Sequence, residues 1–217
     1  MVKGLNMRKI VVVLLLLFAS GCVQEPSYRA RALPEPRPET PVVNIPRELR
    51  VKNWLGNRGE GSCVHATTKN VLVWLNDIEG ALNWNYENGE WSSQLQRRLR
   101  EKGYEFEVTE NASDYSKLEW ASDMRLPAII WWKPSHCCMF AGFSLGADVL
   151  ATRPDLAGKI DPRKEYAAVL DNNYIDRFEY TEKQQFVRLW IGYGAFAVVI
   201  LGSPTTSIPW QSYEVIE

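Results

Sequence analysis

A cysteine, a histidine and a carboxylate or amide in this chain have the types and spacing that nucleophilic catalysis requires. Cys63 follows two glycines, Gly59 and Gly61, and opens a segment with helical spacing of apolar residues, for which Ser62 is a candidate N-cap. A nucleophilic thiol needs a stabilised thiolate, a base within reach and a group that orients the base. The unpaired N–H groups and the dipole of a helix N-terminus meet the first requirement. The position of Cys63 therefore favours a catalytic nucleophile.

The chain contains two histidines that could serve as the base. His65 lies two residues after Cys63 on the same predicted helix, so its side chain points to a different face. We expect His65 to be a packing or surface residue. His136 begins an apolar strand in the second half of the chain, and its imidazole can meet the sulfur if that strand packs against the start of the Cys63 helix. We therefore predict that His136 is the base.

A third residue should orient His136 from the neighbouring strand. Asp171 and Asn172 follow the next apolar run, Tyr-Ala-Ala-Val-Leu, where side chains emerge at the edge of the predicted sheet. Neighbouring residues of a strand face opposite ways, so only one of these two side chains can point at His136. The spacing along the chain does not decide between them.

The other cysteines offer a structural alternative for Cys63. Cys137 and Cys138 are adjacent, and adjacent cysteines rarely bond each other because the ring is strained. A bridge from Cys63 to one of this pair is therefore the main rival to catalysis. Otherwise we expect Cys137 and Cys138 to face opposite sides of a strand, with one in the core. Vicinal thiols can bind a soft metal, but no spaced His/Cys set accompanies them, so we expect neither zinc nor a cofactor.

The first residues predict export and a lipid anchor. The first nine residues carry three basic side chains and no acid, residues 10–18 are all apolar, and Ala-Ser-Gly-Cys22 follows. The apolar run is shorter than the roughly 20 residues of a transmembrane helix. The Ala-Ser-Gly-Cys ending resembles the lipobox of bacterial lipoproteins, which implies cleavage before Cys22 and lipidation of its thiol. The alternative is an ordinary cleaved signal.

This interpretation divides the chain into a signal peptide (1–21), a lipidated, proline-rich tether (22–50) and a domain (51–217). It places the domain in the bacterial cell envelope, on the extracytoplasmic side of a membrane. Without residues 1–21 the chain has 22 basic and 26 acidic residues and no basic stripe, so nucleic acid is a poor candidate partner. We expect membrane contact through the lipid at Cys22.

Helices are predicted mainly in the front half of the domain and strands in the back half. The predicted helices cover residues 63–76, 91–102, 114–124 and 182–190. The predicted strands cover residues 104–109, 128–132, 136–143, 166–170 and 195–201. This segregation predicts an α+β fold in which a helical part faces an antiparallel sheet.

Around these candidates the sequence resembles the papain-like cysteine peptidases. Asn57-x5-Cys63 is similar to the Gln-x5-Cys spacing of that family, and Ala-Gly-Phe after His136 is similar to the end of its histidine strand. The run Ala-Val-Leu-Asp171-Asn172 resembles the strand that carries the third residue, which is Asn in papain and Asp in the related bacteriocin-leader peptidases. The order of the three residues also agrees, and the similarity spans about residues 53–201.

The resemblance implies a helical part whose cysteine helix packs on a C-terminal antiparallel sheet. It also implies a peptidase in which Cys63 attacks a carbonyl, His136 protonates the leaving amine, and Asn57 with the Cys63 N–H binds the oxyanion. The expected substrate is a peptide or protein. Asn57 is one methylene shorter than the glutamine of the family, and its alternative role is to form a turn.

Two other interpretations remain open at the level of the sequence. One is a cell-wall amidase or endopeptidase with the same chemistry, although the Asp-Cys-Ser-Gly motif that such enzymes often carry is absent. The other is an inactive papain-like domain that binds a peptide or another envelope protein.

Overall fold

The computed structural model describes four stretches of the chain, residues 45–54, 62–87, 90–110 and 114–202. All described residues belong to one compact unit. The predicted signal peptide, the lipidation site Cys22 and the oxyanion candidate Asn57 lie outside the described residues. None of the helices in the described stretches combines the length and the apolar character that a membrane span needs.

Three helices come first in these stretches, and strands and helices are then interspersed along the chain. The helices are α1 (Cys63–Trp74), α2 (Ile78–Leu82), α3 (Ser92–Glu101), α4 (Ser116–Asp123), α5 (Gly146–Thr152) and α6 (Lys183–Gly192). The strands are β1 (Glu105–Thr109), β2 (Ala128–Trp131), β3 (Cys137–Leu145), β4 (Glu165–Leu170), β5 (Glu179–Glu182) and β6 (Ala197–Gly202). Two short 3₁₀ turns complete the set, Arg47–Leu49 and Pro154–Leu156.

The described strands form one antiparallel sheet in the order β1-β6-β2-β3-β4-β5. Helices pack on this sheet, so the predicted α+β class is confirmed. The first four residues of β6, Ala197–Ile200, are all buried instead of alternating with exposed ones. A continuous buried run is expected where both faces of a strand are covered. The core therefore extends across both sides of the central strands.

Helix α1 is the most enclosed helix of the part described, because nine of its twelve residues are buried. Three of its buried polar side chains, Thr67, Thr68 and Asn70, make hydrogen bonds, whereas Nδ1 of the buried His65 has no partner among the described residues. Thr67 donates to the carbonyl oxygen of Cys137 at 3.0 Å, and Asn70 donates to the carbonyl oxygen of Val51 at 3.0 Å. These bonds attach α1 directly to the start of β3 and to the chain segment before α1.

An aromatic cluster fixes α6 against the sheet. The ring of Phe186 stacks on Trp132 with centroids 4.9 Å apart and on Phe140 at 5.3 Å. Trp132 is the residue that leads β2 into the turn before His136. Packing of α6 therefore supports the segment that carries the histidine.

Residues just before the predicted domain boundary at 51 also pack on the domain. Ile45, within the predicted tether, is 1% exposed. The Arg50 guanidinium donates to the carbonyl oxygens of Ile45 (3.0 Å) and Ile175 (2.7 Å). The position of the boundary itself stays a prediction.

Candidate active site

Cys63 is the first residue of α1, and its thiol is free. Ser62 occupies the N-cap position as predicted, but its hydroxyl makes no cap bond with the helix. It donates instead to the side-chain oxygen of Asn53 at 2.7 Å, and the Ser62 N–H donates to the same oxygen at 3.0 Å. The hydroxyl oxygen accepts from the Trp54 N–H at 2.9 Å instead of from an N–H of the helix, so Ser62 is the N-cap residue without a side-chain cap bond.

The thiols of Cys137 and Cys138 are also free, so this structure holds no bridge from Cys63 to either. Both are buried, where the sequence led us to expect only one in the core. The reason is that β3 lies inside the sheet between β2 and β4, and its first four residues, Cys137–Phe140, are buried on both faces.

His136 sits at the end of a tight turn between β2 and β3. Lys133 and Ser135 adopt positive φ angles of 68° and 55° in this turn, and the Trp132 N–H donates to the His136 carbonyl oxygen at 2.9 Å. The turn fixes the backbone of His136 at the point where β3 begins. Its imidazole Nε2 lies 2.9 Å from the carboxylate of Asp171. That leaves Nδ1 as the ring nitrogen available to a reacting group.

Asp171 is a buried carboxylate with three donors. Besides the imidazole, Lys133 Nζ lies 2.7 Å from Oδ2, and the Asn173 N–H donates to Oδ1 at 2.9 Å. Burial alone would raise the pKa of Asp171, but the hydrogen bonds from His136, Lys133 and Asn173 hold it well below its usual range. Asp171 is therefore a permanent negative charge at neutral pH.

The hydrogen bond between His136 and Asp171 also affects the charge of His136. Burial lowers the pKa of its imidazole, but hydrogen-bonding interactions with Asp171, Cys138 and Cys63 outweigh burial and raise that pKa well above its usual range. At neutral pH the ring is an imidazolium, and Nε2–H donates to Asp171. The influence of Cys63 on this pKa indicates that the two sequence-predicted reactive groups lie near each other.

Asn172 points away from His136. Its amide nitrogen donates to the carbonyl oxygens of Cys63 (3.1 Å) and Cys137 (2.8 Å) and to the hydroxyl of Thr67 (2.7 Å). Asn172 thus joins the first turn of α1 to the start of β3. Of the two residues left open by the sequence, Asp171 contacts the imidazole and Asn172 holds the scaffold, as alternation of side chains dictates.

Cys63 and His136 line one cleft of about 740 Å³. The cleft is also lined by Glu90 and Trp91, just before α3, and by Tyr193, just after α6. Trp91 is 69% exposed at this rim. The cleft therefore offers an open, partly aromatic groove beside the sulfur.

His65 is a packing residue. Its ring meets Trp54 and Tyr86 edge-on, with centroids 5.3 Å and 5.9 Å away. Burial, followed by the charge of Lys69, lowers the pKa of His65 to about 4. The ring is neutral at pH 7, and the structure does not bring it to Asp171.

A buried ion pair at the cleft, formed by Arg98 and the lining residue Glu90, was missed by sequence reasoning. The side chains of Arg98 and Glu90 are 3% and 2% exposed and form a short contact. The Arg98 guanidinium also lies over the ring of Trp84, 4.4 Å from its centroid. A charged position on α3 looks solvated in the sequence, and no local signal marks Arg98 as buried. Lys133, which contacts Asp171, was missed for a similar reason.

Comparisons with protein-family models, with curated proteins and with solved structures gave no match for this chain.

Proposed function

We propose that this protein is a papain-like cysteine peptidase with Cys63 as nucleophile, His136 as general acid and base, and Asp171 as the residue that orients His136. The observation that carries the proposal is the shared cleft: a free thiol at a helix start and an imidazolium bonded to a buried carboxylate line the same groove. This set supplies a nucleophile, a proton carrier and an orienting group.

In the proposed reaction the Cys63 thiolate, paired with the His136 imidazolium, attacks the carbonyl carbon of a peptide bond. The electron pair of the carbonyl moves to oxygen and returns when the C–N bond breaks, while His136 gives its proton to the leaving amine. Neutral His136 then takes a proton from water, and the resulting hydroxide releases the acyl group from sulfur. Because Nε2 is bonded to Asp171, Nδ1 is the atom that transfers these protons.

The oxyanion would be bound by the backbone N–H of Cys63, at the first turn of α1, together with the proposed donor Asn57. Removal of one donor of this kind costs about 10²- to 10³-fold in rate. An Asn57→Ala enzyme should therefore be slow but not inactive.

The test is hydrolysis of peptide and peptidoglycan-fragment libraries by wild type, Cys63→Ala and His136→Ala. A peptidase loses turnover of peptides in both variants, while a cell-wall amidase loses turnover of the peptidoglycan fragments. Thermal melts of the variants report whether they are folded. Wild type and variants that behave alike on both libraries would instead support the inactive binding domain.

We also propose that the domain is carried on a lipid attached to Cys22, in the bacterial cell envelope on the extracytoplasmic side. This rests on the lipobox-like Ala-Ser-Gly-Cys22 ending and the proline-rich run after it. A clickable fatty acid should label the wild-type protein and not Cys22→Ser. Equal labelling of the two would contradict the proposed anchor.

A further inference from the structure

One buried thiol beside the proposed active site has no part in the proposed reaction. Cys138 is fully buried, and its sulfur, a ring nitrogen of His136 and a carboxylate oxygen of Asp171 all lie within 4.8 Å of one another. The strand geometry explains the cluster. His136 and Cys138 are two residues apart and share a face, and Met139 pairs with Leu170, which brings Asp171 opposite Cys138.

We propose that His136, Cys138 and Asp171 form a binding site for Zn²⁺, and that an ion bound there inhibits the proposed hydrolase. Imidazole nitrogen, thiolate sulfur and carboxylate oxygen are the ligands that Zn²⁺ takes in proteins. Tetrahedral Zn²⁺ sites hold such atoms roughly 3.3–3.6 Å apart. Side-chain movements on the order of 1 Å would close the cluster around an ion.

The donor set also matches the charge of the ion. A thiolate, a carboxylate and a neutral imidazole together carry two negative charges, which balance the two positive charges of Zn²⁺. Zn²⁺ ligands must be deprotonated, so binding releases protons from the site. His136 lines the cleft and gives the ion a path from solvent.

The ammonium of Lys133 is the local charge that opposes the ion. It lies 2.7 Å from Asp171 Oδ2 and 3.6 Å from Glu179, and its side chain is 42% exposed. A cation so close to a ligand weakens binding of a second cation. A variant without this positive charge should therefore bind Zn²⁺ more tightly than its parent protein.

Inhibition of the proposed hydrolase follows because His136 belongs to both the metal site and the catalytic site. This part of the inference rests on the proposed function. An ion on His136 removes the positive charge that pairs with the Cys63 thiolate and displaces the bond to Asp171. Binding itself does not depend on catalysis and is measured separately.

The binding test is calorimetric titration of Zn²⁺ into the full chain carrying Cys63→Ala, which has no catalytic thiol. We expect one ion per chain. Adding Cys138→Ala should weaken binding by at least about tenfold, since a ligand is lost. Cys137→Ala is the matched control: its thiol is adjacent and equally buried, yet outside the cluster, so the affinity should stay unchanged. Lys133→Gln in the same background should bind more tightly.

A second measurement covers the case in which Cys138→Ala does not fold. Co²⁺ added to the chain carrying Cys63→Ala and Cys137→Ala should give a thiolate-to-cobalt absorption band, because Cys138 is then the only thiol among the described residues. Cys22 is the same in every variant and cancels in the comparison.

Equal Zn²⁺ affinity with and without Cys138, or no thiolate band in the second variant, would overturn the site. Zn²⁺ binding by a protein that hydrolyses nothing would instead leave the site standing and remove the proposed function. If Zn²⁺ inhibits hydrolysis equally in wild type and in Cys138→Ala, the inhibition comes from Cys63. That result would overturn the proposal for Cys138.

Discussion

Asp171 accepts a hydrogen bond from His136 Nε2 at 2.9 Å, across a separation of 35 residues in the chain. This contact joins the end of β4 to the start of β3 and turns an ordinary strand-end histidine into an oriented imidazolium. In the proposed enzyme it decides which ring nitrogen faces the substrate and keeps a positive charge beside Cys63.

Replacement of Asp171 should therefore impair chemistry more than folding. We expect Asp171→Ala to lower kcat by about 10²-fold, because His136 loses both its orientation and the charge that stabilises its cation. Steady-state kinetics on a peptide substrate measures this. An unchanged kcat would contradict the role of Asp171.

Asn172→Ala is the contrasting variant at the neighbouring position. The Asn172 amide makes three hydrogen bonds that join α1 to β3. The amide nitrogen has two N–H groups for these three acceptors, so loss of these bonds should lower the free energy of unfolding by about 2 kcal/mol, at about 1 kcal/mol for each N–H. Denaturant unfolding measures the loss, and kcat per folded molecule should fall less than in Asp171→Ala. The reverse ranking of the two variants would argue against the separation of roles.

Asn53 should position the two halves of the site relative to each other. Its side-chain oxygen accepts both hydrogen bonds from Ser62, and its amide nitrogen donates to the side chain of Asn173 at 2.9 Å. Asn53→Ala should lower kcat while leaving KM nearly unchanged, and should cost about 2 kcal/mol of stability. Asn53→Asp keeps the acceptor for Ser62 and should recover most of both losses. No difference between the two variants would mean that the Ser62 bonds do not matter.

His65 should make folding stability depend on pH. Its pKa is lowered from 6.5 to about 4 in the folded protein, so the unfolded state binds more protons between those values. The stability contributed by neutral His65 is complete above pH 6.5 and is lost as the pH falls towards 4, by at most about 3 kcal/mol. Denaturant unfolding at pH 7 and pH 4.5 should show a smaller difference for His65→Gln than for wild type. If wild type and His65→Gln lose the same unfolding free energy between pH 7 and pH 4.5, His65 is not the source of the pH dependence.

The buried pair of Arg98 and Glu90 should behave as a unit. Burial raises the pKa of Glu90 even though Arg98 lowers it, so a Glu90 without its partner is costly. Arg98→Met should lower stability by about 3–5 kcal/mol, and adding Glu90→Gln should restore part of the loss. A double-mutant cycle of unfolding free energies measures the coupling. Additive effects of the two substitutions would show that the pair does not interact.

Periodicity predicted the elements that carry the site, because α1, α3 and the central strands have long patterned segments. It missed α2 and α5, which have five and seven residues, and β5, whose Glu-Tyr-Thr-Glu sequence has no apolar alternation. Short elements of this kind form because the rest of the domain packs against them, and the local sequence contains little signal.

The pairing of His136 with one specific neighbour also lay beyond the sequence. Asp171 and Asn172 are neighbours in the chain, at nearly the same sequence distance from His136. Only the strand register decides which of the two side chains meets the imidazole. The same register, Met139 opposite Leu170, places Cys138 beside Asp171. Spacing along a chain does not contain this information, since a shift of one residue exchanges the two faces of a strand.

The central claim is that His136 activates Cys63, and the rate of alkylation by iodoacetamide tests it most directly. Reaction is followed at each cysteine by mass spectrometry at pH 6, with the buried Cys137 and Cys138 as internal controls. We predict that Cys63 in the wild type reacts at least about tenfold faster than free cysteine, and that His136→Ala reduces its rate to that of free cysteine. Equal rates for Cys63 in wild type and His136→Ala would contradict the claim.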